Sequence, residues 1–187
     1  MSNWCNNCAL RLFNEKCHNL QGVGNPFMGN LIVIPNVDYD AYKAKDLEYS
    51  SQVKLIADIL HISPTGGLDA NLYFLPLIRC NENLGCEITQ DIINRCCNYL
   101  VNDINRYNFK NIMLCGDAAR RFLNVDDISK YLDTVICNSA TRRRYFVNYS
   151  PLVKYKDEEK FEVFKQHLIK YNNSITSRMY DYEIMIL

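Results

Sequence analysis

The sequence predicts an α/β protein, a three-layer α/β/α sandwich with a mostly parallel central sheet. Short apolar runs at residues 31–34, 72–78 and 111–115 have the composition of strands that are buried on both faces. Segments with helical spacing of apolar residues lie between these runs, which indicates strand–helix–strand units. The chain has 187 residues, of which 48% are hydrophobic and 22% are charged, so it can bury a substantial core.

The first half of the chain alternates loops, strands and a helix. In chain order, the sequence predicts loops over residues 1–29, a strand at 31–34, a helix at 53–60, a turn at 64–67 and a strand at 72–78. Pro35 stops the first strand because it cannot donate to a ladder. Pro76 lacks the same N–H inside the second strand, which is unusual in the centre of a sheet.

The second half repeats the alternation with longer helices. In chain order, it predicts a helix at 88–104, a strand at 111–115, helices at 118–123 and 128–135, a strand at 145–148 and a helix at 157–171. The helix at 88–104 has a broad apolar stripe that includes Cys96. Cys96 is therefore predicted to face the core, whereas Cys97 points about 100° away from it.

Residues 172–187 differ in character from the preceding residues 1–171, which we assign to one domain. Polar residues in this tail give way to an acidic, aromatic and apolar end. The pattern is compatible with a short strand on the sheet edge or with a flexible peptide that docks on a partner protein. The residues predicted to make that protein contact are Glu183, Ile184, Met185, Ile186 and Leu187.

Composition restricts the cellular setting. The chain carries 21 Lys and Arg and 21 Asp and Glu residues, so any nucleic-acid binding requires a local basic patch. No signal-peptide pattern opens the chain, and no apolar run approaches the roughly 18 residues of a membrane span. We predict no membrane contact and a reducing compartment, the cytoplasm or nucleoid. This would be the host cytoplasm if the Asn-, Tyr- and Ile-rich composition reflects an AT-rich phage or viral genome.

Four cysteines are grouped in a way that predicts a metal centre. Cys5 and Cys8 form a Cys-x2-Cys pair, Cys80 follows the second predicted strand, and Cys96 lies on the next helix. In a reducing compartment, grouped cysteines indicate metal more often than disulfides. Four thiolates without a His at finger spacing suit a structural zinc ion or an iron–sulfur cluster. The wide spacing of Cys80 and Cys96 favours the cluster, because zinc sites usually use two short Cys-x2-Cys pairs.

Together with their neighbours, these cysteines resemble the pattern of the iron–sulfur uracil-DNA glycosylases, families 4 and 5. The matching residues are Cys5, Cys8, Leu10, Gly22, Gly24, Asn25, Pro26, the run 31–34, Arg79, Cys80, Cys96, Ile112, Gly116 and Ala119. The resemblance implies a single α/β domain of the uracil-DNA-glycosylase type. It also implies a [4Fe-4S] cluster held by Cys5, Cys8, Cys80 and Cys96.

The chain departs from this family where the family carries its chemistry. The acid that positions the hydrolytic water is missing at its place in residues 35–39, and Asp38 lies two positions away. The family's uracil-reading Asn corresponds to Pro76, and its His, which stabilises the departing uracil anion, corresponds to Ser150. We therefore expect a non-catalytic DNA-binding or scaffold subunit of a replication or repair assembly. The alternative is an active glycosylase with a modified site that uses Asn36, Asp38 or Ser150.

A basic segment supplies candidate DNA contacts. Three consecutive arginines are followed by the stretch in which the family places its DNA-contacting loop. Arginines beside tyrosines suit phosphate contacts and stacking on bases, although charge runs usually only solvate a turn. The predicted DNA-binding residues are Arg142, Arg143, Arg144, Tyr149, Ser150 and Lys154.

Overall fold

A computed structural model describes residues 5–16, 19–65 and 71–186. Its strands are β1 (Val23–Gly24), β2 (Asn30–Val37), β3 (Tyr73–Asn81), β4 (Asn111–Cys115), β5 (Thr134–Asn138), β6 (Arg143–Asn148) and β7 (Glu183–Ile186). Its α-helices are α1 (Ala9–Phe13), α2 (Tyr39–Ala44), α3 (Ser51–Leu60), α4 (Gln90–Arg106), α5 (Asp117–Leu123) and α6 (Glu158–Ser177).

The strands form one mixed sheet in the order β1-β3-β2-β4-β6-β5-β7. The central strands β3, β2, β4 and β6 are mutually parallel, and β7 is parallel to β5. Among the described strands, only β1 with β3 and β5 with β6 pair antiparallel. The predicted α/β class with a mostly parallel sheet is confirmed.

Helices cover both faces of this sheet. One face packs against α1, α4 and α5, and the other packs against α2, α3 and α6. Alternate residues of β2 divide between the two cores, with Leu31 and Val33 on the first face and Ile32 and Ile34 on the second. In the described part of the chain, no helix combines the length and apolarity needed to cross a membrane.

Pro76 lies inside β3, opposite Ile34 of β2. The short strand β1 pairs only with Tyr73 and Phe74 of β3. Among the described residues, the stretch of β3 around Pro76 therefore has a strand neighbour on one side only. A proline is tolerated there because the missing N–H removes no ladder bond on the unpaired side.

Helix α4 carries Cys96, which the spacing of apolar residues predicts to face the core. The Thr89 side chain accepts a hydrogen bond from Ile92 N and caps the helix. Its buried residues follow a four-residue spacing: Ile92, Cys96, Leu100 and Ile104. Cys96 therefore faces the core, as predicted, and Cys97 is only half-buried.

The structure departs from the predicted elements in several places. The first strand does not stop at Pro35, since β2 continues through it to Val37. The predicted helix at 128–135 is wrong, because a short 3-10 helix (Ser129–Tyr131) leads into strand β5 there. The region 1–29 is not only loop, since it contains α1 and β1. Helix α6 continues past residue 171 to Ser177, and the tail then returns as edge strand β7. The glycines of the predicted turn at 64–67 lie outside the described residues.

Candidate metal centre and carboxyl-end cleft

The fold brings the four predicted cysteines to one end of the molecule. Cys8 is the N-cap residue of α1, Cys80 lies near the carboxyl end of β3, and Cys96 lies on the inner face of α4. These three thiols are buried in the same core, and Cys5 is half-buried. The site is thus built from one loop, one strand and one helix that are distant in sequence.

Two polar side chains hold the N-terminal segment in place. The Asn14 amide nitrogen donates to Asn81 O (3.1 Å), and Asn81 N donates to Asn14 Oδ1 (2.9 Å). Arg95 Nη1, on α4, donates to Asn6 O (3.2 Å). The loop that carries Cys5 and Cys8 is therefore fixed to the strand and the helix that carry the other two cysteines.

Burial and the neighbouring thiols both disfavour a charged Cys96. The pKa of Cys96 is raised to about 12, chiefly by burial, and the nearby thiols of Cys80, Cys8 and Cys5 contribute to the increase. A backbone hydrogen bond with Arg79 acts in the opposite direction. Four thiolates could therefore coexist here only with a compensating cation, which is the situation of a thiolate-ligated metal.

The thiols fit a soft metal by their chemistry, although their arrangement is not that of a ligand sphere. Within residues 5–16, 19–65 and 71–186, no three His, Cys, Asp or Glu side chains are placed to hold a metal ion. The case for a metal at this site therefore rests on the type of donor atom. Four cysteine thiols lie close enough to interact electrostatically.

Arg79, next to Cys80, connects this centre to its surroundings. Its guanidinium forms an ion pair with Asp103, and the two side chains are 4% and 14% exposed. It also lies over the ring of Tyr99, 5.4 Å from the centroid. Tyr99 is hydrogen-bonded to Cys5, and its pKa is raised to about 12, chiefly by burial. The cysteines are thus bordered by a paired cation and an aromatic ring.

A second feature, the carboxyl-end cleft, opens where β2, β4 and β6 end. It has a volume of about 630 Å³. Its lining residues are Pro35, Asn36, Gly116, Asp117, Arg120, Asp126, Asp127, Ile128, Ser129, Tyr149, Ser150, Leu152, Val153, Lys156 and Lys160. The carboxyl ends of parallel strands are the usual binding position in open α/β sheets.

The three weak catalytic candidates have different positions. Asn36 and Ser150 line the cleft. Asp38 instead caps α2 and accepts hydrogen bonds from Ala41 N (3.0 Å), Ser50 Oγ (2.7 Å) and Ser51 Oγ (3.0 Å). Both carboxylate oxygens of Asp38 are therefore engaged in organising the local chain. The Ser150 hydroxyl accepts from Leu152 N (3.2 Å) and caps the short 3-10 helix Pro151–Tyr155.

Glu82 is a polar residue of this region that the sequence reasoning missed. Its carboxylate accepts a hydrogen bond from Asn36 Nδ2 (3.2 Å) and forms an ion pair with Arg121 (2.7 Å). Gln52 Nε2 donates to Asn36 Oδ1 (3.2 Å), so both ends of the Asn36 amide are fixed. The sequence feature that could have indicated Glu82 is its position. It directly follows β3, which pairs with the strand that contains Asn36.

The six predicted DNA-binding residues do not form one patch. Arg143 and Arg144 begin β6, whereas Tyr149 and Ser150 follow its carboxyl end. Because a strand rises about 3.3 Å per residue, the two groups lie about 20 Å apart along the sheet. Lys154 lies on the 3-10 helix that ends at Tyr155, between Val153 and Lys156, which line the cleft, and Tyr155 is 70% exposed.

Gly116 joins β4 to α5 at the floor of the cleft. It adopts φ +53° and ψ −123°, and a Cβ added there would lie 2.6 Å from Ser150 Cβ. A side chain would therefore be strained by the backbone and would also clash with the next loop. The glycine at position 116, one of the residues that match the glycosylase pattern, is thus required by the local structure.

Replacing Gly116 by Ala is expected to lower the free energy of unfolding by about 2–4 kcal/mol, since backbone strain and overpacking add. Gly85→Ala is the matched control, because Gly85 also has a positive φ but has nothing within 4 Å of an added Cβ. Urea denaturation would measure both variants. Equal losses for the two glycines would show that contact with Ser150 does not constrain the cleft.

Comparisons with known proteins give no further assignment, since no family model and no curated protein matches this chain.

Proposed function

We propose that this chain is a uracil-DNA-glycosylase-like [4Fe-4S] protein that acts as a non-catalytic DNA-binding or scaffold subunit of a DNA replication or repair assembly in the cytoplasm or nucleoid. The main support is the carboxyl-end cleft. It lies where α/β proteins bind ligands, and Lys156 and Lys160 are among its lining residues, yet the nearby Asp38 carboxylate is engaged in capping. The scaffold is retained and the catalytic groups are not.

The proposed cluster would be held by Cys5, Cys8, Cys80 and Cys96, with structural zinc as the alternative. The support is the convergence of the four thiols and the buried position of three of them. A bound cluster would supply the positive charge that lets these thiols ionise. The chain contributes the surrounding packing and the backbone hydrogen bond from Arg79 to Cys96.

The proposed duplex-DNA contact is the rim of the cleft. Lys154 lies 5.9 Å from the centroid of the exposed Tyr155 ring, and Lys156 and Lys160 line the cleft wall. Arg120 also lines the cleft and forms an ion pair with Asp117 (3.2 Å). Lysines that contact phosphates and a tyrosine that contacts a sugar or base are the usual components of such an interface.

Replacing Lys154 and Lys156 together by Gln is expected to weaken binding to a duplex oligonucleotide. It should also lower the slope of log K against log salt by about 1.8, the value for two lost phosphate contacts. The control is Lys43→Gln/Lys45→Gln, which removes two exposed lysines near α2. Fluorescence anisotropy at several salt concentrations measures both. An unchanged slope for the Lys154/Lys156 variant would exclude the cleft rim as the DNA contact.

An active glycosylase is the second candidate function, and the Asn36–Glu82 pair favours it. Asn36 lines the cleft with its amide oriented by Glu82 and Gln52, so it could position a water molecule or a base edge. If base excision is detected, Glu82→Gln should reduce its rate, because the Asn36 amide would lose its charged partner.

The proposed protein contact is the end of the chain. Strand β7 lies at the sheet edge, and its three apolar residues Ile184, Met185 and Ile186 are 66%, 40% and 73% exposed. Glu183 begins the strand, and Leu187 lies outside the described residues. An exposed apolar edge strand can accept a strand from another protein.

A further inference from the structure

Three segments meet at the amino ends of β2, β4 and β6, at the opposite end of these strands from the cleft. Lys110 N and Asn111 N both donate to Gly29 O (2.8 and 3.1 Å), and Arg144 N donates to Lys110 O (2.8 Å). Lys110 Nζ also donates to Thr141 O (3.4 Å). Residues 25–30, 105–111 and 139–144 therefore form one continuous surface, which we call the amino-end surface.

This surface has a strong local charge. Its segments contain five cationic residues and no Asp or Glu, in a chain whose total charge is zero. The cationic residues are Arg106, Lys110, Arg142, Arg143 and Arg144. A local excess of this kind is the electrostatic signature of a polyanion-binding surface.

Exposed aromatic and apolar side chains lie among these charges. Phe27 is 82% exposed and Met28 is 49% exposed. The Phe27 ring meets the edge of Tyr107, with centroids 6.4 Å apart, and Arg106 lies 5.2 Å above the Tyr107 ring. Tyr107 in turn packs against the buried Phe109. Phe27 is thus a solvent-facing ring on a rigid aromatic base.

We propose that the amino-end surface binds single-stranded nucleic acid. Phe27 stacks on an unpaired base, and Arg106, Lys110 and Arg142 contact the phosphates. Arg144 has a supporting role, because its guanidinium lies over the Tyr180 ring (4.1 Å) and donates to Asn111 Oδ1 (3.2 Å). Alternating cations and exposed rings match the sequence-tolerant binding of single strands.

The charge pattern favours nucleic acid over a protein partner. The centres of protein–protein interfaces are depleted in charged residues, whereas here Phe27 contacts the ring that Arg106 covers, and the three segments carry five cations and no acid. The surface is also separate from the carboxyl-end cleft. The eight residues of β2 separate the amino-end surface from the cleft by about 25 Å. The proposed single-strand site therefore does not depend on the function proposed for the cleft.

The test is the binding of a fluorescein-labelled oligothymidylate to the full chain, measured by anisotropy over a range of salt. Phe27→Ala should weaken binding about tenfold or more, the effect of losing one stacked base. Phe13→Ala, which removes another exposed ring on α1, should leave binding unchanged. Arg106→Gln/Arg142→Gln should lower the salt slope by about 1.4. Because Phe27 and Phe13 are both exposed, neither variant should alter the thermal midpoint.

The outcomes separate the two surfaces. Wild-type affinity in Phe27→Ala, or an unchanged salt slope in the arginine variant, overturns the single-strand site and leaves the exposed ring as a protein contact. If only Lys154→Gln/Lys156→Gln weakens the oligothymidylate complex, single strands bind at the cleft and the amino-end surface is excluded. If Phe27→Ala weakens it and the lysine variant does not, the amino-end surface is supported independently of the cleft.

Discussion

Replacing Cys80 or Cys96 by Ser is expected to abolish bound iron and sulfide and to lower the free energy of unfolding by more than about 4 kcal/mol. Losses of that size are rare for single substitutions and include the loss of a structural metal. Cys80 and Cys96 are both buried, and they connect β3 and α4 to the loop that carries the other two cysteines. The proposed metal binding at this position would therefore be coupled to folding.

The control for these variants is Cys137→Ser. Cys137 lies on β5 and packs on the opposite face of the sheet, so it should keep full iron content. The iron, sulfide and zinc contents and the free energy of unfolding in urea would be measured for the wild type and all three variants. Full iron content and wild-type stability in Cys80→Ser and Cys96→Ser would contradict the ligand assignment. Zinc without sulfide in the wild type would assign the site to structural zinc.

The second prediction with a large expected effect concerns uracil release from DNA. We expect the chain to release no uracil above background. Removing one donor of the kind that stabilises a developing anion costs about a hundred- to a thousandfold in rate. By the resemblance to the glycosylase family, Ser150 takes the place of that donor. It caps a 3-10 helix, Pro76 is buried in β3, and Asp38 caps α2. The resemblance therefore implies that water positioning, base reading and leaving-group stabilisation are all affected.

Much of the fold follows from local patterns. The apolar runs form buried parallel strands because both faces of the sheet are covered by helices. Cys96 was correctly placed because the 3.6-residue period of α4 leaves little freedom for its direction. The segment at 128–135 misled the same reasoning. Ile128, Leu132 and Val135 have helical spacing, yet Asp133 adopts φ +64°, which ends any helix.

The sites required tertiary information. Arg144 and Tyr149 are only five positions apart in sequence. Most of strand β6 lies between them and places them at opposite ends of the strand. Glu82 and Asn36 are distant in sequence, and they meet because β2 and β3 run parallel. The amino-end surface was not predictable either, since Gly29 and Lys110 become neighbours only when β2 and β4 pair.

The most direct test is to purify the full chain anaerobically, measure its iron and labile sulfide, and assay uracil release from single- and double-stranded oligonucleotides on the same sample. An active uracil-DNA glycosylase serves as the positive control. We predict about four iron and four sulfide per chain, as a [4Fe-4S] cluster requires, with no release of uracil. Release at a rate comparable with the control would contradict the account and would assign the carboxyl-end cleft to catalysis.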